Sequence, residues 1–404
     1  MGNLQEFEES MMNEMTLIKH SKEKIVLFGG ADIGILAKRV LELMGIKVEC
    51  FCDNDTLKQS KLIEGLKVLS LDNVIKQFVN VRIIICTLND YNEIAIRKEI
   101  EYSGINNIHS IFPLLYFYKT RCIKNPVSQQ NMKELISKIK DEDNNLIISA
   151  VNIPITEKCT LNCEKCSSLT PYNDYPIHYN KNTIINTIKR FLSVIDGAKR
   201  VIITGGEPLL YPDLLLICKE VSQYNNILTI RVVTNGTIIP DISILKCFSD
   251  LGISLTISDY GQLSNNKYEL IDLCKKYNVL WDINSYNYNT WVDFGRVQVE
   301  RNRSKNENMQ IFKKCYNWVK ATYLLNGDYY LCQRAAYATY FKILEKKDGE
   351  YVNILDYSLS EQELKNKIKE ITYNTKYLTA CNYCNTRYGK IIPPAVQKER
   401  KLKH

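Results

Sequence analysis

The chain has 404 residues, 45% of them hydrophobic, with 10 prolines and a formal charge of +8, which argues for two or three packed domains rather than disorder. It contains no run of about eighteen apolar residues, and its start, MGNLQEFEES, lacks the basic and apolar parts of a signal peptide, so a cytoplasmic setting and no membrane partner are expected. Fourteen cysteines without an export signal point to metal thiolates rather than disulfides, while four scattered histidines exclude a histidine-built zinc hydrolase.

The first elements read as a strand, KIVLF, a glycine turn, an amphipathic helix ILAKRVLELMG and a second strand IKVECFCDND. Strands LKVLSL and VRIIICTL, a helix YNEIAIRKEIEYSG and a short strand NIHSIF complete a small parallel α/β sheet over residues 1–120. The turn Gly29-Gly30-Ala31-Asp32-Ile33-Gly34 approaches a dinucleotide fingerprint, and Asp53 lies where a ribose-binding acid belongs. Ala31 replaces the second fingerprint glycine, and its methyl group restricts the approach of a pyrophosphate, which disfavours a complete NAD site. Two readings stay open: a nucleotide or nucleotide-sugar site on Gly29, Gly30, Gly34 and Asp53, or a module that only packs against its neighbour.

Residues 121–145 turn polar, with Met132, Leu135, Ile136 and Ile139 at helical spacing, and read as a connecting helix. From 146 to 310, strands LIISAVNIPI, KRVIITG, LTIRVVTN, GISLTIS and VLWDINS alternate with helices such as PDLLLICKEVSQY and YELIDLCKKY, the pattern of a partial (β/α)6 barrel. Beyond it, ATYLLNGDYYLC reads as a hairpin within a cysteine-bearing region, 311–404. The basic run Lys398 to His404 reads as a solvated tail, and no aromatic-interleaved basic patch points to nucleic acid.

Cys159, Cys163 and Cys166 follow the first barrel strand in a C-x3-C-x2-C spacing, at the end where barrel enzymes place their chemistry. Three thiolates can hold three irons of a 4Fe-4S cluster and leave the fourth open to a small chelating ligand. The next strands end in Gly205-Gly206-Glu207-Pro208, Thr234-Asn235-Gly236 and Ser258-Asp259. Together these motifs resemble the radical S-adenosylmethionine (SAM) superfamily. The resemblance implies that SAM chelates the open iron, that Gly205, Gly206 and Glu207 receive its amino group, and that Thr234, Asn235, Ser258 and Asp259 contact its ribose and carboxylate. Where that family usually has an aromatic residue to pack on adenine, this chain has Lys165, with Tyr172 a candidate substitute.

Cys315, Cys332, Cys381 and Cys384 could form a closed four-thiolate site, for zinc or for a cluster. Their C-x11-G-x4-C spacing and distant C-x2-C resemble the twitch domain, a shortened SPASM extension, which implies an auxiliary 4Fe-4S cluster and so two clusters in all. The N-terminal region is similar to the Rossmann-like domains of nucleotide-sugar enzymes. Cys50, Cys52, Cys86, Cys122, Cys218, Cys247 and Cys274 remain as core residues.

By this resemblance the chain is an oxidoreductase that reductively cleaves SAM to a 5'-deoxyadenosyl radical and abstracts hydrogen from a sugar, aminocyclitol or nucleotide-linked sugar. Oxidation of a hydroxyl to a ketone follows, with the auxiliary cluster as electron acceptor and flavodoxin or ferredoxin as donor. Radical epimerisation or elimination, and peptide maturation, are the alternatives. Tyr260, Asn284, Tyr286, Arg296, Arg334 and Arg387 are the candidates to orient substrate.

Overall fold

The computed structural model describes residues 4–30, 32–59, 61–87, 90–118, 132–285, 291–319 and 321–398. Helix α1 (Leu4–Lys19) precedes a sheet of β1 (Lys24–Phe28), β2 (Val48–Cys52), β3 (Leu62–Ile63), β4 (Leu66–Leu69), β5 (Val81–Ile85) and β6 (Ile108–Ser110), ordered β3-β4-β2-β1-β5-β6. Every pairing in it is parallel except β3 with β4. The near-continuous apolar runs of β1 and β5 fit strands covered on both faces. The covering helices are α2 (Asp32–Leu43), α3 (Thr56–Gln59), α4 (Leu71–Gln77), α5 (Asp90–Tyr102) and α6 (Phe112–Phe117).

Because β1 is flanked by β2 and β5, the glycine turn after it lies at the sheet's switch point, where doubly wound folds bind ligands. Asp53, however, is turned into that loop: its carboxylate accepts from the Gly30 amide at 2.8 Å, the Asp55 amide at 2.9 Å and Lys58 Nζ at 2.7 Å. A ribose hydroxyl or phosphate would have to displace one of these donors. Gly34 serves close packing instead, since a Cβ there would lie 1.9 Å from the Gly29 carbonyl oxygen. The side chain of Asp32 and all of Ala31 lie outside the described residues.

The connecting helix is α7 (Met132–Lys140), and Met132, Leu135, Ile136 and Ile139 are all buried, as their spacing predicts. They enter a core shared by the N-terminal domain and by Ile147, Leu228 and Leu280. Those last three stand where barrel strands begin, so the N-terminal domain is docked at the barrel end opposite the sequence motifs.

The larger sheet contains β7 (Ile147–Ile148), β8 (Ala150–Pro154), β9 (Gly197–Thr204), β10 (Ile227–Thr234), β11 (Ile253–Asp259) and β12 (Trp281–Ser285), with intervening helices α8 (Lys181–Val194), α9 (Leu214–Val221), α10 (Ile242–Leu251) and α11 (Lys267–Lys276). After β13 (Trp291–Val292) come α12 (Lys305–Val319), β14 (Ala321–Leu325), β15 (Asp328–Tyr330), α13 (Gln333–Tyr340), β16 (Tyr351–Asn353), α14 (Glu361–Asn374) and β17 (Ile391–Ile392). The order is β12-β11-β10-β9-β8-β14-β15-β16, with β7 on β9. Strands β8 to β12 are the expected parallel set, but the sixth parallel strand, β14, joins beside β8 rather than beyond β12.

The expected hairpin is β14–β15, turning on Asn326 and Gly327 at φ 49° and 93°, as a two-residue turn with both central residues left-handed requires. Barrel and C-terminal residues share one core, in which Phe191 stacks on Tyr329, so the boundary near 311 marks a change of topology and not a break in packing. No helix among the described residues is long and apolar enough to cross a membrane.

Candidate functional site

The chain leaves β8 into the loop of the first three cysteines, and the turn after β9 clamps that loop. Gly206 N donates to the Thr156 carbonyl and Glu207 N to that of Lys158, both at 2.8 Å. A Cβ on Gly205 would sit 2.4 Å from the Thr156 oxygen and one on Gly206 2.3 Å from the Lys158 oxygen, so only glycine lets the two turns touch. Cys159, Cys163 and Cys166 gather with Leu161, Ala395, Tyr260, Leu263 and Trp291. Burial pushes the Cys159 thiol up to about 12 and the Cys163 thiol to about 11. Such thiols stay neutral unless a metal displaces the proton. Amide donors already face the sulfurs: Asn235 Nδ2 lies 3.5 Å from Cys159 Sγ and Gln397 Nε2 3.4 Å from Cys163 Sγ.

Glu207 has no exposed surface; it accepts from Leu209 N at 3.1 Å and Asn235 N at 2.7 Å. Burial pushes its carboxyl up to about 7 against those bonds. It thereby braces one motif turn against the next. Thr234 Oγ1 accepts from Gly236 N, and Asn235 also donates to Thr160 Oγ1. Ser264 Oγ bridges the carbonyls of Asn235 at 2.7 Å and Ser258 at 3.0 Å, tying the ends of β10 and β11. Asp259 Oδ1 accepts from Lys267 Nζ at 2.7 Å and from the Gly261 amide at 2.9 Å.

The aromatic surface beside the thiols is Tyr260 against Trp291, edge to face with centroids 5.4 Å apart. Tyr172 sits exposed on a short 3-10 turn, and Lys165 pairs with Asp293 at 3.3 Å. Among the substrate-orienting candidates, Tyr260 is thus at the thiols, and Asn284 is in register with Ser258 at the end of β12. Arg296 is exposed. Tyr286 lies outside the described residues, as does the side chain of Arg387. Of the core cysteines, Cys50, Cys52, Cys86, Cys218 and Cys274 are buried and Cys247 is half-buried, while Cys122 is outside the described residues.

The second four cysteines converge. Cys315 of α12, Cys332 before α13, Cys381 and Cys384 line one cavity of 150 Å³, walled otherwise by Phe294, Phe312, Tyr323 and Leu331. Arg334, a candidate to orient substrate, lines this cavity; it is buried, donates to the Gly295 carbonyl and leaves Nε without a protein acceptor. Arg303 Nη1 donates to the carbonyls of Cys381 and Cys384, both at 2.8 Å, and Arg301 lies within charge range of Cys384. Among the described residues no three His, Cys, Asp or Glu groups close on a single ion position. Four thiols lining one cavity fit a thiolate-bound group, zinc or an iron-sulfur cluster.

Residues 153–260, from within β8 to Tyr260, match the family model described as the radical SAM superfamily. The chain carries a radical SAM domain. That family uses a 4Fe-4S cluster and SAM, and Cys159, Cys163 and Cys166 lie together within the matched segment. The radical SAM domain is similar to GTP 3',8-cyclase of Campylobacter jejuni (strain RM1221), 31% identical over 98 residues, which cover 23% of this chain and 29% of that one. It is also similar to Molybdenum cofactor biosynthesis protein 1 of Homo sapiens, 36% identical over 92 residues, 22% of this chain and 14% of that one. The chain therefore spans less than a third of these relatives' length. Among solved structures, BtrN in complex with AdoMet and 2-DOIA is 17% identical, with a TM-score of 0.39, covering 59% of this chain and 93% of that one. Native anSMEcpe with bound AdoMet and Kp18Cys peptide is 17% identical, with a TM-score of 0.37 and coverage of 56% and 82%.

Proposed function

We propose that this radical SAM enzyme is an oxidoreductase that converts a hydroxyl of a sugar, aminocyclitol or nucleotide-linked sugar to a ketone, with a twitch-type auxiliary 4Fe-4S cluster taking up an electron. The observation that carries this is adjacency: the second thiol cavity is walled by Ser167, the residue after Cys166, and Gln333 beside Cys332 donates to Ser168 at 2.8 Å. With its cluster and SAM bound, the first site supplies hydrogen abstraction from an unactivated carbon. A carbinol carbon that has lost a hydrogen atom must still release one proton and one electron to become a ketone. Cys315, Cys332, Cys381 and Cys384 would hold the group that receives the electron. Arg301, Arg303 and Arg334 around them stabilise the negative charge so gained. A flavodoxin- or ferredoxin-like donor supplies the electron that starts each turnover.

The cyclase relatives favour a second reading, a redox-neutral radical reaction that needs no final electron acceptor. Anaerobic assays with SAM, reductant and a panel of nucleotide sugars and aminocyclitols separate the two. Oxidation predicts one ketone product per 5'-deoxyadenosine, and Cys381→Ala with Cys384→Ala should keep SAM cleavage while abolishing ketone formation. Unimpaired turnover by that variant would favour the redox-neutral reaction, and stoichiometric zinc in place of a second iron-sulfur signal would defeat the electron-acceptor role.

A further inference from the structure

Of the basic run Lys398 to His404 only Lys398 is among the described residues, and the segment leading to it packs on the first cysteine loop. Strand β17 pairs with β13, Ile392 opposite Trp291, and the chain then runs across the first cysteine loop. Ala395 is 2% exposed, buried among Leu161 and Cys163. Backbone bonds fasten the crossing on both sides: Glu164 N to Val396 O at 2.7 Å, Lys398 N to Asn162 O at 2.8 Å, with Asn162 Nδ2 returning to Lys398 O at 2.8 Å. Cys163 and Gln397 form an antiparallel bridge.

The Gln397 amide is fully committed. Its Oε1 accepts from Asn162 N at 2.7 Å, and its Nε2 donates to Ala395 O at 2.6 Å and to Cys163 Sγ at 3.4 Å. A flipped amide would set N–H against N–H and oxygen against oxygen, so its neighbours fix which end faces the sulfur.

Resting on the assignment of Cys159, Cys163 and Cys166 as cluster ligands, we propose that Gln397 is a positioning residue that raises the reduction potential of that cluster, held in place by residues 391–398 as a strap. One-electron reduction adds one negative charge to a thiolate-bound cluster, and an N–H aimed at a ligand sulfur stabilises the reduced form more than the oxidised form. Hydrogen bonds to the ligand sulfurs are one of the levers a protein has on such a potential, and Gln397 supplies one. Gln397 belongs to none of the four strand-end motifs, so this control is separable from the binding of SAM.

The test uses the full chain, reconstituted anaerobically, with iron analysis and an EPR-monitored titration by dithionite of the signal that responds to SAM. Gln397→Glu keeps an acceptor for Asn162 N, removes the donor and places negative charge at the sulfur. Its reduced-to-oxidised ratio at fixed potential should fall at least tenfold, a downward shift of about 59 mV for one electron. Gln397→Leu should shift the same way by less, with iron content in both variants as in the parent. An unchanged potential at full iron content would overturn the inference, as would loss of iron with the remaining signal at the parent potential. A parent protein with no SAM-responsive signal would instead sink the ligand assignment on which it stands.

Discussion

The two thiol sets use the same ligand in opposite electrical settings. Around Cys159 and Cys163 the donors to sulfur are neutral amides, those of Asn235 and Gln397. Around Cys315, Cys332, Cys381 and Cys384 stand three guanidinium groups, one of them buried with an unused nitrogen. Nearby positive charge favours the more negative, reduced form of whatever the thiols hold, and more so away from water. With clusters held as proposed, the contrast would make the second set the readier to accept an electron, the direction the proposed oxidation requires.

The contrast breaks most completely at the first set. Changing Cys159, Cys163 and Cys166 to Ala should lower bound iron from about eight to about four atoms per chain and abolish 5'-deoxyadenosine formation. Cleavage of SAM by that variant would defeat the ligand assignment.

A smaller effect tests the neutrality of the first setting at Glu207, whose carboxyl is raised from 4.5 to about 7 by burial. A group raised on folding holds its proton more tightly folded than unfolded, so the stability it lends is full below about 4.5 and is lost as pH climbs through about 7. Metal-free protein should therefore lose on the order of 1–3 kcal/mol from this group across that window. In denaturant titrations, Glu207→Gln should flatten this part of the pH profile; an identical slope in the two proteins would count against a neutral, buried acid.

The finest test is of the charged setting. Arg303→Met with Arg334→Met should lower the potential at the second set by about 59 mV, a tenfold change for one electron, and leave the SAM-responsive signal where it was. Equal shifts at both sites would erase the distinction.

The sequence was most legible where local chemistry repeats. Apolar runs predicted β8 to β12, and the turn residues Asn326 and Gly327 predicted the β14–β15 hairpin. The C-x3-C-x2-C spacing brings Cys159, Cys163 and Cys166 together through one loop, whereas Cys381 and Cys384 reach Cys332 only after α13, β16 and α14. What stayed hidden depends on distant partners. Gln397 meets Cys163 across 234 residues, and Trp291 reaches the thiols by no local pattern. No local spacing signals that Lys267 of α11 pairs with Asp259 or that Arg334 of α13 is buried against the second thiol cavity. Helix α1 is signalled only by Met11, Met15 and Ile18, whose spacing is helical but whose surroundings are charged.

The docking of the N-terminal domain under the barrel makes it a floor. Ile147, Leu228 and Leu280 lie beneath it at the closed end, while the thiols and motif turns occupy the opposite rim. Cutting the chain near residue 120 would strip that floor and lay an apolar underside open to water, so the enzyme is best handled as one piece. The same layout keeps the entrance clear. A guest lodged in the Gly29 turn would occupy the basement of the molecule, where it could moor or brace the protein without queuing for the reaction upstairs.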